Sequence, residues 1–186
     1  IAPSLVGSEM CIRDSPDRVI FSAIHTRGNM GNTSAQEDGT NLGPTGEELF
    51  ISDGTFAGTQ MVANIRGEDE TWVYFNGTYC CGDWKGSMPR DMVLIGQQVW
   101  FTAETDDYGR ELYRYALGNT FGVGSGYYLV KDIMPGAATS NPGEHTRGSG
   151  GLFLSADDGV HGQELHFSLG DQFTTDIVKD IWEGEG

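Results

Sequence analysis

Three stretches of this chain repeat one another, and a repeat limits the fold more tightly than composition does, because every copy must find equivalent surroundings. The first copy reads Ile20-Phe21-Ser22-Ala23, then Gly46-Glu47-Glu48-Leu49-Phe50, then Met61-Val62-Ala63-Asn64-Ile65. The second reads Trp100-Phe101-Thr102-Ala103, Gly109-Arg110-Glu111-Leu112-Tyr113 and Leu129-Val130-Lys131-Asp132-Ile133. The third reads Phe153-Leu154-Ser155-Ala156, Gly162-Gln163-Glu164-Leu165-His166 and Ile177-Val178-Lys179-Asp180-Ile181. Ala103 to Glu111 and Ala156 to Glu164 are both 8 residues, and Glu48 to Asn64 and Glu164 to Asp180 are both 16. Lys131 and Lys179 give the full period of 48. Insertions stretch it at three joints: Ala23 to Glu48, Glu111 to Asp132, and Asn64 to Ala103.

Each unit reads as short strands between turn residues. Val99–Ala103 and Leu152–Ala156 are compact apolar runs bounded by Gly and Asp. In the next strand, period-two alternation sets Leu49, Leu112 and Leu165 on one face and Phe50, Tyr113 and His166 on the other. The Val-Lys-Asp-Ile segments form a third strand, and Met92–Ile95 and Glu144–Arg147 read as further strands ahead of units two and three. Glycine and proline punctuation leaves no room for a helix of ordinary length. Four short strands in about 48 residues match one propeller blade. The expectation is therefore all-β: tandem four-stranded blades forming a partial β-propeller, with a β-sandwich of the same strands as the alternative.

The boundaries follow. Residues 16–65 make repeat 1 with an insertion at 25–45, and residues 66–90 are an aromatic, cysteine-containing insertion. Residues 91–133 make repeat 2, residues 134–181 repeat 3, and residues 182–186 begin a linker to a further repeat. Residues 1–15 stand apart, because Leu5–Ser15 (LVGSEMCIRDS) resembles the reading-frame translation of a sequencing-library transposase adapter. They lack the basic n-region and apolar stretch of a signal peptide.

The run Glu48-Leu49-Phe50-Ile51-Ser52-Asp53-Gly54-Thr55, continued by Phe56-Ala57-Gly58-Thr59, resembles the ELWxxDGT repeat of bacterial secreted and surface proteins. Leu129–Gly136 (LVKDIMPG) and Ser140-Asn141-Pro142 fit the later part of that repeat. Departures are the replacement of Trp by Phe50, Tyr113 and His166, and a DGT turn present only in the first unit. The resemblance implies a secreted or cell-surface location and a repeat scaffold, without a defined chemical activity.

Charge narrows the partners. Acidic residues number 27 against 11 basic ones, a formal charge of −16. Such a field repels phosphate backbones and anionic membrane surfaces, so no nucleic acid is expected, and no apolar run approaches the roughly 20 residues of a membrane span, so no membrane insertion is expected. The expected partners are a protein or carbohydrate ligand and the remaining blades of the chain itself.

Candidate residues are weighed against scaffold roles. Asp53 and Gly54 sit where a turn needs positive φ and a self-bonding aspartate. Glu48, Glu111 and Glu164 with Leu49, Leu112 and Leu165 recur identically, as scaffold does. Lys131 and Lys179, beside Asp132 and Asp180, read as edge lysines that discourage strand addition, with a ligand-facing basic ring as the other reading. Asp106-Asp107 and Asp157-Asp158 are the candidate Ca²⁺ ligands, with solvated turn carboxylates as the default. Trp72, Tyr74, Phe75, Tyr79 and Trp84 flank an Asn76-Gly77 hairpin signal and form either a ligand platform or the packing of a large insertion. Cys80-Cys81 stand as thiols or as a vicinal disulfide, and no second ligand pair at zinc spacing follows. No nucleophile-elbow, zincin or phosphate-loop motif is present, so no catalytic residue is assigned. The leading expectation is a non-catalytic binding or adhesion module within a longer chain. The alternative is the propeller portion of a secreted carbohydrate-active enzyme.

Overall fold

The computed structural model describes residues 11–15, 18–25, 46–66, 73–75, 78–80, 85–117 and 126–183. Among them it is all-β. The strands are β1 (Cys11–Ser15), β2 (Arg18–His25), β3 (Gly46–Ser52), β4 (Gln60–Ala63), β5 (Val73–Phe75), β6 (Thr78–Cys80) and β7 (Arg90–Ile95). They continue as β8 (Gln98–Thr105), β9 (Gly109–Ala116), β10 (Tyr127–Lys131), β11 (Gly143–Gly148), β12 (Gly151–Asp157), β13 (Gln163–Ser168) and β14 (Asp176–Lys179). Three four-stranded antiparallel sheets result, each pairing its strands in chain order: β1 to β4, β7 to β10, and β11 to β14. We call them sheets 1, 2 and 3. The strands β5 and β6 pair separately, Tyr74 opposite Tyr79 and Phe75 opposite Thr78, on either side of the Asn76-Gly77 signal. No helix among the described residues is long and apolar enough to cross a membrane.

The sequence spacings become cross-strand pairs. The eight-residue separation places Ala103 opposite Glu111 and Ala156 opposite Glu164, and Ala23 lies opposite Glu48 across the longer connection. A small residue there leaves room beside each glutamate side chain. The last pair of each sheet also slips at one equivalent point, where Val62, Val130 and Val178 are the residues skipped. Such a bulge bends and twists a strand. Its threefold recurrence shows three copies of one sheet rather than three similar sequences in different settings. The first strand of sheet 1, β1, is formed by residues of the adapter-like segment.

Strand β8 lies between two neighbouring sheets, which explains its near-continuous apolar run. Val99, Phe101, Ala103 and Tyr113 pack against Ile20, Leu49, Ile51 and Val62 of sheet 1. From the opposite face, Trp100, Leu112 and Val130 pack against Leu152, Leu154 and Ala156 of sheet 3. The sheets thus stack in chain order. Between consecutive sheets it is the first strands that adjoin, β1 beside β7 and β7 beside β11. Burial lowers the His145 pKa, so the ring on β11 is neutral and its Nδ1, 2.6 Å from the Asp91 carbonyl on β7, donates to it.

This stacking separates two leucines that are identical in sequence context. Leu112 is fully buried, while Leu165 is 37 % exposed at the equivalent place in sheet 3. Leu112→Ala is expected to cost roughly 2–5 kcal/mol in denaturant unfolding, and Leu165→Ala about 1 kcal/mol or less. Equal costs would contradict the stacking.

Candidate functional site at the insertion-bearing end

In an up-and-down sheet, the connection after the second strand and the chain leaving the fourth strand lie at the same end. Both long insertions leave from that end: 26–45 follows β2, and 67–84 follows β4 and holds β5 and β6. The loop between β8 and β9 and the linkers into sheets 2 and 3 share it.

Buried glutamates organise this end. Glu111 Oε2 accepts from the Ile133 amide (3.1 Å) and the Ser140 hydroxyl (2.8 Å), and its Oε1 accepts from the amides of Met134 (3.1 Å) and Ser140 (3.3 Å). Glu48 does the same for sheet 1: it accepts from the Ile65 amide (3.1 Å) and from the Ser87 amide (3.0 Å) and hydroxyl (2.5 Å). Each serine then accepts through its own carbonyl from the following sheet, Ser87 from the Glu104 amide and Ser140 from the Asp157 amide, both at 2.8 Å. Glutamate and serine together clip one sheet to the next. Glu164 holds the Trp182 amide at 2.7 Å in the corresponding way.

The linker carrying the serine has one shape in both places. Met88 and Asp91 adopt positive φ, and so do Asn141 and Glu144, 53 residues further on. Ser87-Met88-Pro89 therefore takes the place before sheet 2 that Ser140-Asn141-Pro142 takes before sheet 3. Gly109 (φ 59°) opens β9 in the left-handed region, and a Cβ there would come within 2.2 Å of the Ala138 carbonyl oxygen. The linker can cross β9 closely only because no side chain stands there.

Between sheets 1 and 2 the same end carries a network of alternating charge. Arg90 makes a bidentate pair with Glu47 (2.7 and 2.9 Å). Arg66 meets Glu104 at 3.3 Å and also Asp106, and Arg110 Nη2 lies 3.6 Å from Glu104. Burial acts to raise Glu47, but hydrogen bonds from Arg90 and Ser22 outweigh it and hold the carboxyl below its usual range. Desolvation lowers Arg110, which also donates to the Met88 carbonyl at 2.9 Å. These arginines are committed to neighbours, and the network reads as a second clamp on the joint.

The candidate residues fall as follows. Tyr74, Phe75 and Tyr79 lie on β5 and β6, while Trp72 and Trp84 lie outside the described residues, as does Cys81. Asp106 is taken up by Arg66 and belongs to the clamp, and Asp107 is exposed. Asp157 accepts from the Gly159 amide at 2.8 Å. Asp158 accepts from the Val160 and His161 amides (2.9 and 2.8 Å) and pairs with the His161 ring at 2.7 Å. Slight burial opposes ionisation of Asp158, yet those donors bring its pKa to about 2. Among the described residues, no three His, Cys, Asp or Glu groups gather as a metal site would require. Asn64, Asp132 and Asp180, at one repeat position, each leave a buried side-chain oxygen without a partner among the described residues.

Two findings lay beyond the sequence reading. Lys131 reaches across to sheet 3, donating to the Thr175 carbonyl at 2.7 Å with Asp176 4.0 Å away, so it bridges sheets as well as sitting on a last strand. The turn of unit three also persists without its DGT. Ser52 and Thr59 hydroxyls meet at 2.7 Å around Asp53 and Gly54, and Ser168 and Thr175 meet at 2.6 Å around Gly170 and Asp171. The signal was the Ser and Thr seven residues apart, not the aspartate between them. Phe56 and Phe173 are 94 % and 88 % exposed on these turns, at the end opposite the insertions.

No family model, curated protein or solved structure matches the chain.

Burial raises both clip glutamates, Glu111 to about 7 against an ordinary 4.5, although their hydrogen-bond donors pull the other way. The native state therefore keeps protons that the unfolded chain releases above pH 4.5, and stability declines as pH rises from 4.5 to about 7. In pH-dependent unfolding, Glu111→Gln is expected to remove part of that slope while Glu48 retains the rest. The variant is also expected to lose about 1–3 kcal/mol, because its amide NH₂ faces donors.

Proposed function

We propose that the chain is a run of propeller blades from a secreted or cell-surface repeat protein, acting as a non-catalytic binding or adhesion module. The observation that carries this reading is the contrast between scaffold and insertions. Sheet register, bulge and clip recur from unit to unit, while the two longest insertions leave from one end. A repeated scaffold that varies at one end is how repeat proteins present a recognition surface. Adjoining first strands and in-order stacking support blades over a sandwich, because a sandwich would bury one face of each sheet against a single partner. The ELWxxDGT-like sequence supports the extracellular location. The acidic surface favours protein or carbohydrate ligands over polyanions.

The insertion aromatics are the proposed contact, since flat rings stack on sugars and anchor protein interfaces. The test is binding of the chain and of a Trp72→Ala/Tyr74→Ala/Tyr79→Ala variant to glycan and extracellular-matrix protein arrays. The reading expects a ligand bound by the wild type and lost at least tenfold in the variant, with the melting temperature unchanged. Repeating the binding in EDTA and in millimolar calcium reads any contribution of Asp106, Asp107, Asp157 or Asp158. Release of sugars from a bound polysaccharide, or binding indifferent to the three substitutions, would overturn it.

A further inference from the structure

The connections from third to fourth strand each carry one phenylalanine. Phe56 in sheet 1 and Phe173 in sheet 3 stand almost fully exposed, and Leu169 beside Phe173 is 51 % exposed. The matching connection of sheet 2 holds Phe121, which lies outside the described residues. A single exposed ring needs no explanation, but a ring recurring at one end of a repeated scaffold does. Stacked neighbours do not cover these tips. Phe56 is exposed although the sheet that follows its own is in place, and Phe173 is exposed although the sheet that precedes its own is in place. By the equivalence of the units, neither a following nor a preceding blade reaches the ring.

The turns hold the rings outward. Asp53 accepts from the Thr55 amide (2.9 Å) and hydroxyl (2.7 Å), and the Thr59 hydroxyl donates to the Thr55 carbonyl at 2.6 Å. Asp171 accepts from the Phe173 and Thr174 amides (2.9 and 3.0 Å), and the Thr175 hydroxyl donates to the Asp171 carbonyl at 2.7 Å. Loops ordered in this way have little left to lose on binding. Charge says what they meet. The connections at this end (16–17, 53–59, 96–97, 117–126, 149–150 and 169–175) hold three charged side chains, Asp17, Asp53 and Asp171. Asp176 and the arginines Arg18, Arg114 and Arg147 stand on the adjoining strand ends, so this end is close to neutral in a chain of formal charge −16. The insertion-bearing end takes the acidic runs, Glu68-Asp69-Glu70 and Asp106-Asp107 among them. A near-neutral end with protruding rings fits an uncharged partner.

The position of the ring within each turn narrows that partner. Phe56 lies three residues before Thr59, and Phe173 lies two before Thr175. The ring stays at this end while its place in the turn shifts. A protein socket would have to match each ring in position, whereas a fluid bilayer takes up a ring wherever it protrudes. We propose that this end rests on a zwitterionic lipid surface, with Phe56 and Phe173 reaching the boundary between headgroups and acyl chains and the acidic end turned away. The contact is made by side chains at turn tips, not by a spanning segment. It is a second surface, opposite the ligand contact proposed for the insertion aromatics.

Co-sedimentation of the 186-residue chain with phosphatidylcholine vesicles, at up to about 5 mM lipid, tests it. The bound fraction is expected to rise with lipid concentration. Phe56→Ala/Phe173→Ala is expected to lower the partition coefficient about tenfold with the melting temperature unchanged, because both rings are exposed in the folded chain. Phe173→Trp is expected to gain emission that bromine on the acyl chains quenches, beyond any quenching of the wild type. Phosphatidylserine vesicles are expected to bind less, since the acidic chain is repelled by an anionic surface. A wild type that stays in the supernatant overturns the proposal, as does a double variant that binds equally well, unquenched Phe173→Trp emission, or tighter binding to phosphatidylserine. Trp72→Ala/Tyr74→Ala/Tyr79→Ala is expected to bind vesicles as the wild type does, and loss of binding there would place the contact at the other end and overturn it too. Failure on vesicles leaves the insertion contact standing, because the two sets of substitutions alter opposite ends.

Discussion

A buried carboxylate surrounded by four donors is the contact on which this molecule depends. Glu111 alone satisfies two consecutive amides of the chain leaving its sheet and both the amide and hydroxyl of the serine entering the next. Unpaired buried backbone amides are costly, so chain leaving a sheet must find acceptors without an adjoining strand. The glutamate supplies them at one point, and the serine passes the connection on through its carbonyl. Because Glu48 and Ser87 do the same one unit earlier, the geometry of one joint sets the next.

Apolar packing completes each joint. The clip fixes where the linker crosses, and the bulge at Val62 or Val130 turns the last strand at the same register in both sheets. The faces that meet are then matched by sequence, apolar side chains against apolar side chains. Lys131, reaching the Thr175 carbonyl, and the arginine network around Glu104 brace the two joints differently, whereas glutamate, serine and leucine recur at both. That division leaves one end of the scaffold open to insertions without disturbing the stack.

Much of this was legible in the residues because the spacings are themselves structural distances. Eight residues from alanine to glutamate is a hairpin with the two directly opposed, and the Leu-Phe alternation names the two faces. The Asn76-Gly77 signal likewise marks the short pair β5 and β6. Ser87-Met88-Pro89 stayed hidden inside the segment read as an insertion: it shares the Ser-x-Pro pattern of Ser140-Asn141-Pro142, but the added chain before it breaks the repeat spacing that would have aligned the two. The turn of unit three stayed hidden because its aspartate moved within the loop while Ser168 and Thr175 kept their places. Lys131 read as an edge residue because sequence shows which strand carries a side chain but not which sheet lies across from it. The aromatic insertion remains the part that pattern alone names without ordering, because it follows no repeat.

Hydrogen exchange resolved to single amides, compared between the wild type and Glu111→Ala, bears most directly on the clip. The amides of Ile133, Met134, Ser140 and Asp157 are predicted to lose protection together, with sheet 3 exchanging faster and sheet 1 unchanged. Protection at those four amides that survives the substitution would contradict the account.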